Sequence, residues 1–132
     1  MKTIIDEIKT YEDAVKATSC GTLDKAVKMA LNGLAMIFKN HSGLFDNIYA
    51  YFQLVIIAKA LNNGWRADWE NGNQRKWYPW FEVSPSGFSF DDTACYSAPN
   101  AGVASRLCVK SEELAIYFGK QFIDIHKRQL MS

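Results

Sequence analysis

The chain has 132 residues, of which 48% are hydrophobic and 22% are charged, and its formal net charge is +1. This length and composition are typical of a soluble globular domain that buries a core without metals or disulfides. Residues 1–64 carry seven basic and six acidic side chains and residues 65–132 carry eight of each. Neither half is therefore a polycation of the kind that binds nucleic acid through its phosphates.

The first part of the chain predicts helices. Thr10 precedes two acids and predicts an N-cap for a helix over residues 11–18, with a turn of helix before it at residues 4–8. Gly21 breaks the chain, and Thr22 predicts the cap of a second helix over residues 23–38. The apolar stripe expected on this helix consists of Leu23, Val27, Ala30, Leu34 and Ile37.

A third helix is predicted over residues 47–62, after a loop at residues 40–43. Asp46 is its expected cap, and Asn63 with Gly64 predicts its end. The helix is apolar on nearly all sides, which favours a place at the centre of the domain. Because Gln53 and Lys59 interrupt its apolar run, the segment is expected to be too short and too polar to span a bilayer.

Beyond Gly64 the pattern changes to alternation, which is typical of strands. Residues 76–83 predict a strand with Trp77, Phe81 and Val83 on the inner face and Lys76, Tyr78, Trp80 and Glu82 on the outer one. Because Pro79 lacks a ladder donor, this strand is expected at an edge or with a bulge.

The rest of the second half predicts two more strands and a helix. A turn at residues 85–87 leads to a second strand that starts at residues 88–90, and residues 91–102 read as a loop. Residues 103–109 predict a third strand. Ser111 predicts the cap of a last helix over residues 112–130, whose buried stripe is Leu114, Phe118, Phe122 and Ile125.

These elements predict one α+β domain over residues 1–132. Its N-terminal helices occupy residues 1–64, and residues 65–132 form a small three-stranded antiparallel sheet with the C-terminal helix packed on it. The start of the chain lacks a signal-peptide pattern, and Cys20, Cys95 and Cys108 are an odd number without CxxC spacing. These features predict a cytoplasmic protein with reduced thiols.

Three motifs resemble a group of small proteins of Bacteroides-type gut bacteria and their phages. They are IKTYEDAVKA at the start, AKALNNGW with RADW and NQRKWYPWF, and SRLCVKSEELAIYFGKQF. The sequence departs from the group's pattern at Ala67, Trp77 and Val109, where proline, tyrosine and phenylalanine are usual. The resemblance implies a phage, prophage or mobile-element accessory protein in the cytoplasm. It implies no catalytic residues, because the group supplies none.

All four tryptophans lie between Trp65 and Trp80, in a segment that also carries cations. Flat rings beside guanidinium and ammonium groups suit stacking of bases or anchoring of a protein partner. The alternative is structural, with Trp65 and Trp69 folding their loop over the third helix and with Trp77 and Phe81 filling the core. The candidate binding residues are Trp65, Arg66, Trp69, Arg75, Lys76, Tyr78, Trp80 and Arg106.

No pattern in the chain identifies a reaction or a cofactor. His41 and His126 are far apart and predict no metal site, and His126 is expected to serve the helix dipole or solvent. Cys108 with His126 and Asp124 has the residue types of a nucleophilic site, yet Cys108 lies in an apolar strand. Arg106 is expected to pair with an acid across the sheet or to contact an anion beside Tyr78 and Trp80.

The favoured hypothesis is a non-enzymatic module that binds another macromolecule through the aromatic-basic surface. A protein partner is favoured over nucleic acid because the charge is balanced. The alternatives are a binder of a small ligand, such as a nucleotide signal, and a binder of single-stranded nucleic acid. A nucleotide site would need a concave pocket with stacked rings and convergent Arg or Lys.

Overall fold

The computed structural model describes residues 2–96 and 105–131. It confirms the α+β class, with helices followed by a two-stranded antiparallel sheet and two further helices. The first four helices are α1 (Ile4–Glu7), α2 (Tyr11–Thr18), α3 (Gly21–Ile37) and α4 (Ser42–Asn62). The strands are β1 (Lys76–Ser84) and β2 (Gly87–Tyr96), and the last helices are α5 (Glu112–Gln121) and α6 (Ile123–Met131).

Two predicted caps are confirmed, and α4 ends where the sequence indicates. The Thr10 side chain accepts a hydrogen bond from the backbone N–H of Asp13, and Ser111 does the same for Leu114. Asn63 ends α4 in the left-handed region with φ of 43°, followed by Gly64 with φ of 95°.

The caps predicted at Thr22 and Asp46 are wrong, because α3 starts at Gly21 and α4 starts at Ser42. The residues before them, Cys20 and His41, both have ψ of 17° instead of an extended conformation. A single turn of 3-10 helix at Lys39–His41 connects α3 to α4 in place of the predicted loop. Because this connection stays helical, the chain offers no extended cap residue there.

The strands β1 and β2 form a hairpin whose pairing shifts between Trp80 and Phe81, where the partner changes from Asp92 to Phe90. The extra residue is therefore on β2, whereas Pro79 of β1 stays paired with β2. β2 runs to Tyr96, so the loop predicted from residue 91 starts too early, and residues 97–102 lie outside the described part of the chain. Val83, expected on the inner face, is exposed close to the turn.

The predicted third strand is wrong. Val109 forms a single bridge with Trp77, through N–H to O distances of 3.0 and 2.7 Å, and Ser105–Leu107 is a turn of 3-10 helix. Residues 103 and 104 lie outside the described ranges. In a strand, the N–H groups of alternate residues point to the same side. Because the N–H of Trp77 points toward Val109, the next N–H on that side would come from residue 79, and proline has none. The ladder therefore stops after one bridge.

The last helix is broken at Phe122, where the sequence predicts a continuous helix. The break lets α5 pack on the sheet while α6 packs on α4. The approach of α5 to the sheet is close, because a Cβ at Gly119 would lie 2.7 Å from Cδ2 of Phe90 and 2.8 Å from Cβ of Pro79.

The core lies around the second half of α4, as its apolar character predicts. Leu54, Ile57 and Leu61 of this helix are fully buried. They belong to one cluster with residues of α2, α5 and the segment before α5, among them Ala14, Val109 and Phe118. The two halves of the chain therefore share one core.

The position of α3 differs from the expectation, because none of its residues is buried. Asp24, Val27, Leu31 and Ala35 are half-buried, whereas Leu23, Ala30, Leu34 and Ile37 of the predicted stripe are exposed. One carboxylate oxygen of Asp24 accepts hydrogen bonds from the hydroxyls of Tyr11 at 2.6 Å and Tyr49 at 2.7 Å. This polar tie to α2 and α4 turns the apolar stripe away from the core.

The helical segment Lys39–Asn62 is longer than the sequence predicts and passes a membrane-span test by length and composition alone. Its mean hydropathy reaches 1.3 over 18 residues, and 44% of that window is buried within the fold. A core helix of a soluble protein meets the same criterion, so the test does not distinguish the two settings.

Candidate functional site

Lys76 is not part of a surface, which corrects its assignment to the exposed aromatic-basic group. Its side chain is fully buried, and its ammonium donates hydrogen bonds to the carbonyl oxygens of Asn71 at 3.2 Å and Gln74 at 2.9 Å. The same ammonium lies 5.1 Å from the ring centroid of Trp69. The loop before β1 therefore wraps the cation of Lys76 in carbonyl groups and one indole.

The remaining residues of the tryptophan loop have mixed positions. Trp65 and Trp69 are half-buried, whereas Arg66 and Arg75 are exposed. The side chain of Gln74 braces the loop, because it accepts from the N–H of Asp68 at 2.6 Å and donates to the carbonyl of Arg66 at 3.1 Å. The ring of Trp69 thus contacts Lys76 beside its own loop, and the folding of this loop over the third helix stays a prediction.

Tyr78 and Trp80 are brought together on β1. Their ring centroids are 6.1 Å apart in an edge-on arrangement, and Trp80 is 55% exposed while Tyr78 is half-buried. The expectation that Trp80 remains accessible is thus met. Both rings line a cleft at the junction of β1, the turn before Val109, α4 and α6.

This cleft, which we call the His126 cleft, has a volume of about 520 Å³. Aromatic rings form much of its wall, and among the described lining residues none carries a formal charge at neutral pH. Side chains with polar groups are two tyrosines, Trp80, Gln129 and His126. Its ring-bearing lining residues are Tyr51, Tyr78, Trp80, Phe81, Phe88 and His126.

His126 is buried, which corrects the expectation that it serves solvent or the helix dipole. It is 2% exposed, and its ring lies 4.7 Å from that of Phe81 and 4.6 Å from that of Phe118. Burial lowers the pKa of His126 to about 4, and a hydrogen bond with the backbone of Phe118 opposes that shift. Its Nε2 atom is buried with no hydrogen-bond partner.

A signal for this burial is present in the sequence. His126 continues the four-residue spacing of Leu114, Phe118 and Phe122, which are all buried. Spacing of this kind places side chains on one face of a helix. A polar histidine is not expected in a series of buried side chains, yet His126 is buried with them.

Arg106 lies apart from Tyr78 and Trp80, in a second concave region between α3 and α4. This α3–α4 groove has a volume of about 440 Å³ and is apolar apart from the arginine and a tyrosine hydroxyl. Tyr51 lines both this groove and the His126 cleft. The other main residues that line the α3–α4 groove are Val27, Ala30, Leu31, Ile48 and Phe52.

The catalytic candidates do not form a reactive site. Cys108 is buried, and burial raises the pKa of its thiol to about 11, so it is protonated at neutral pH. Across residues 2–96 and 105–131, no group of three or more His, Cys, Asp or Glu side chains is placed to hold a metal ion.

Comparison with known proteins adds no relative: no family model, no curated protein and no solved structure matches the chain.

Proposed function

We propose that this chain is a non-enzymatic accessory protein, of phage or mobile-element type, that acts by binding another protein. The phage setting rests on the motif resemblance, and a cytoplasmic location rests on the use of cysteine. Protein binding is supported above all by one observation, the open apolar face of α3 beside the α3–α4 groove.

The α3 face is defined by Leu23, Ala30, Leu34 and Ile37, together with Ile48 of α4. All five are exposed, and Ile37 reaches 72%. An amphipathic helix gains most of its stability by burying its apolar face, and contiguous exposed apolar surface marks contact sites in soluble proteins. A face of this kind on a helix with no buried residue supports docking of a further element.

The groove beside this face indicates what kind of element fits. Two helices form its walls, Phe52 and Leu31 line it, and the guanidinium of Arg106 gives it one cationic group. An amphipathic helix of a partner protein, with a carboxylate that meets Arg106, satisfies both features. A second copy fits less well, because the α3 face is uncharged and brings no carboxylate to Arg106.

A nucleotide or single-stranded nucleic acid has weaker support. Lys76 is buried, and the His126 cleft, which holds Tyr78 and Trp80, has no cation among its described lining residues. Phosphate groups need convergent positive charge. Trp80 remains accessible as a single exposed ring on β1.

The proposal is tested with a photo-cross-linking amino acid placed at Ile48 in the groove and, as the matched control, at the exposed Ala17 of α2. We expect one defined protein to be cross-linked in the natural host cell from Ile48 and not from Ala17. That protein is then purified and its affinity is measured directly against wild type, Ala30→Glu, Arg106→Glu and Ala17→Glu.

Ala30→Glu and Arg106→Glu are each expected to weaken binding by about tenfold or more, equivalent to about 1.4 kcal/mol, at unchanged melting temperature. Ala17→Glu is expected to bind like wild type. Equal affinities for all four chains would contradict docking at the groove. A cross-linked product that contains only this chain would indicate that a second copy, and not a partner helix, occupies the groove. Sedimentation velocity would then show a dimer that Ala30→Glu dissociates.

A further inference from the structure

We propose that the outer face of α3 binds the surface of a membrane that contains anionic lipids. The outer face is the side of α3 that carries Ala26, Met29, Gly33 and Met36, with Lys25 at its border, and all five residues are exposed. It lies beside the α3 face and outside the α3–α4 groove, so the inference is separate from the docking of a partner protein. Three observations support it: exposed apolar side chains, charge of one sign and a convex shape.

The outer face is on the side of α3 that is turned away from the rest of the fold. Val27, Leu31 and Ala35 are half-buried and mark the side that packs on α4. Because an α-helix turns once in about 3.6 residues, Met29 and Met36 project from the other side. Their side chains are 75% and 74% exposed, the largest exposed fractions among the large apolar side chains of the described residues.

Exposed apolar side chains are concentrated in this part of the molecule. Of the twelve large apolar side chains that are exposed within the described ranges, eight lie in residues 23–48. A helix that binds at a membrane interface turns its apolar side to the acyl chains and carries cations beside it. Met29 and Met36 supply this apolar side, and the half-exposed ring of Phe38 extends it past the end of α3.

The ionised groups of this segment all carry positive charge. Residues 25–45 contain three lysines, one histidine and no acidic residue, whereas the rest of the chain has 12 lysines and arginines and 14 acidic residues. Lys25 lies about one helical turn before Met29, and Lys39 follows Met36 by three residues. Both lysines are exposed, and neither forms an ion pair with a described residue.

The two acids that flank the segment are held elsewhere. Asp24 accepts hydrogen bonds from the hydroxyls of Tyr11 and Tyr49. Asp46 forms an ion pair with Arg128, in which Oδ1 and Nη1 are 3.6 Å apart. The lysines beside the outer face therefore complement an anionic lipid surface, which attracts basic groups close to it. A second copy of α3 would instead bring lysines against lysines.

The shape of the outer face favours lipid over a protein partner. It is the convex side of a helix, and a methyl group at Gly33 would meet no other part of the chain within 4 Å. A protein partner needs a complementary hollow for such a ridge, whereas fluid lipid closes around it. Leu54 and Leu61 of α4 are buried in the core, so the helices lie on the membrane and do not cross it.

Flotation with lipid vesicles tests the proposal. Vesicles of phosphatidylglycerol mixed with phosphatidylcholine are compared with vesicles of phosphatidylcholine alone at low salt. We expect the wild-type chain to float with the mixed vesicles and to stay in the bottom fraction with phosphatidylcholine alone. Added salt is expected to release the chain from the mixed vesicles, because it screens the attraction between lysines and lipid headgroups.

Two double variants separate the apolar and the charged contributions. Met29→Ser with Met36→Ser removes the apolar side chains, and Lys25→Glu with Lys39→Glu reverses the charge. Each double variant is expected to lower the partition coefficient for the mixed vesicles by about tenfold or more. The melting temperature is expected to stay unchanged, because all four side chains are exposed.

The matched control is Lys110→Glu with Lys127→Glu, which makes the same change of charge at exposed positions outside the segment. This control is expected to bind the mixed vesicles like wild type. The proposal is overturned if wild type does not float with the mixed vesicles, if it floats equally with both kinds of vesicle, or if both double variants bind like wild type. An equal loss of binding in the control would also overturn it. A photo-cross-linker at Met29 that captures one acidic protein, without flotation, would assign the outer face to a protein instead.

Discussion

At the scale of single residues, burial decides the properties of two side chains that are usually exposed. Lys76 keeps its ammonium inside the fold because two carbonyl oxygens and the face of Trp69 replace water around it. His126 has a different solution. Its ring packs among phenylalanines and stays neutral, and its Nε2 atom is buried without a hydrogen-bond partner.

The burial of His126 predicts a pH dependence of stability. Its pKa is lowered from 6.5 to about 4 on folding, so between these values the unfolded chain binds more protons than the folded chain. The contribution of His126 to the free energy of unfolding is therefore complete above pH 6.5. It falls by about 3 kcal/mol as the pH drops toward 4. Urea unfolding at a series of pH values across this window measures the loss.

The control for this prediction is His126→Phe, which removes the titrating ring. The pKa values of Asp6 and Asp13 are lowered below 3.8 by hydrogen bonds from backbone N–H groups, so these two carboxyls titrate below the window. The variant is expected to lose stability less steeply than wild type between pH 6.5 and 4. Identical slopes for the two chains would show that His126 is not the group responsible.

At the scale of elements, polar ties and close approaches set positions that apolar patterns do not. The carboxylate of Asp24 holds α3 through two tyrosine hydroxyls, and burial raises the pKa of Tyr49 to about 12, so this hydroxyl remains a donor at neutral pH. The apolar stripe of α3 consequently stays outside. Because of the break at Phe122, α5 packs on the sheet and α6 packs on α4.

The close approach of α5 to the sheet predicts opposite effects of one substitution at two helical glycines. Gly119→Ala places a methyl group 2.7 Å from Phe90 and is expected to destabilise the chain by about 1–3 kcal/mol, although alanine favours helix. Gly33→Ala in α3 meets nothing within 4 Å and is expected to stabilise it by about 0.5–1 kcal/mol. Chemical denaturation compares the two variants, and changes of the same sign would contradict this packing.

At the scale of the whole molecule, helices and sheet share one core, and this predicts a single unfolding transition. Tyr11 and Leu54 from the first half belong to the same buried cluster as Val109 and Phe118 from the second. All four indoles lie in residues 65–80, so tryptophan fluorescence reports the sheet half, whereas far-ultraviolet circular dichroism reports mainly the helices. The two midpoints in urea are expected to coincide, and separate midpoints would mean two independent units.

The features determined by the sequence itself are those that depend on near neighbours. Thr10 and Ser111 cap helices because a hydroxyl reaches an N–H three residues ahead. Alternation around Pro79 predicts a strand, and the apolar character of residues 47–62 predicts a central helix. Each of these follows from local geometry, which a few adjacent residues define.

The tertiary structure alone decided what depends on contacts between distant residues. Tyr11 and Tyr49 lie 13 and 25 residues from Asp24, and together they turn the stripe of α3 outward. A bridge between Trp77 and Val109 replaces the third strand, since Pro79 offers no further donor on that side. Lys76 is buried by its own loop and His126 by aromatic rings, although both side chains are polar and are expected at the surface. Such outcomes depend on which surfaces meet in space, and periodicity along a chain carries no information about that.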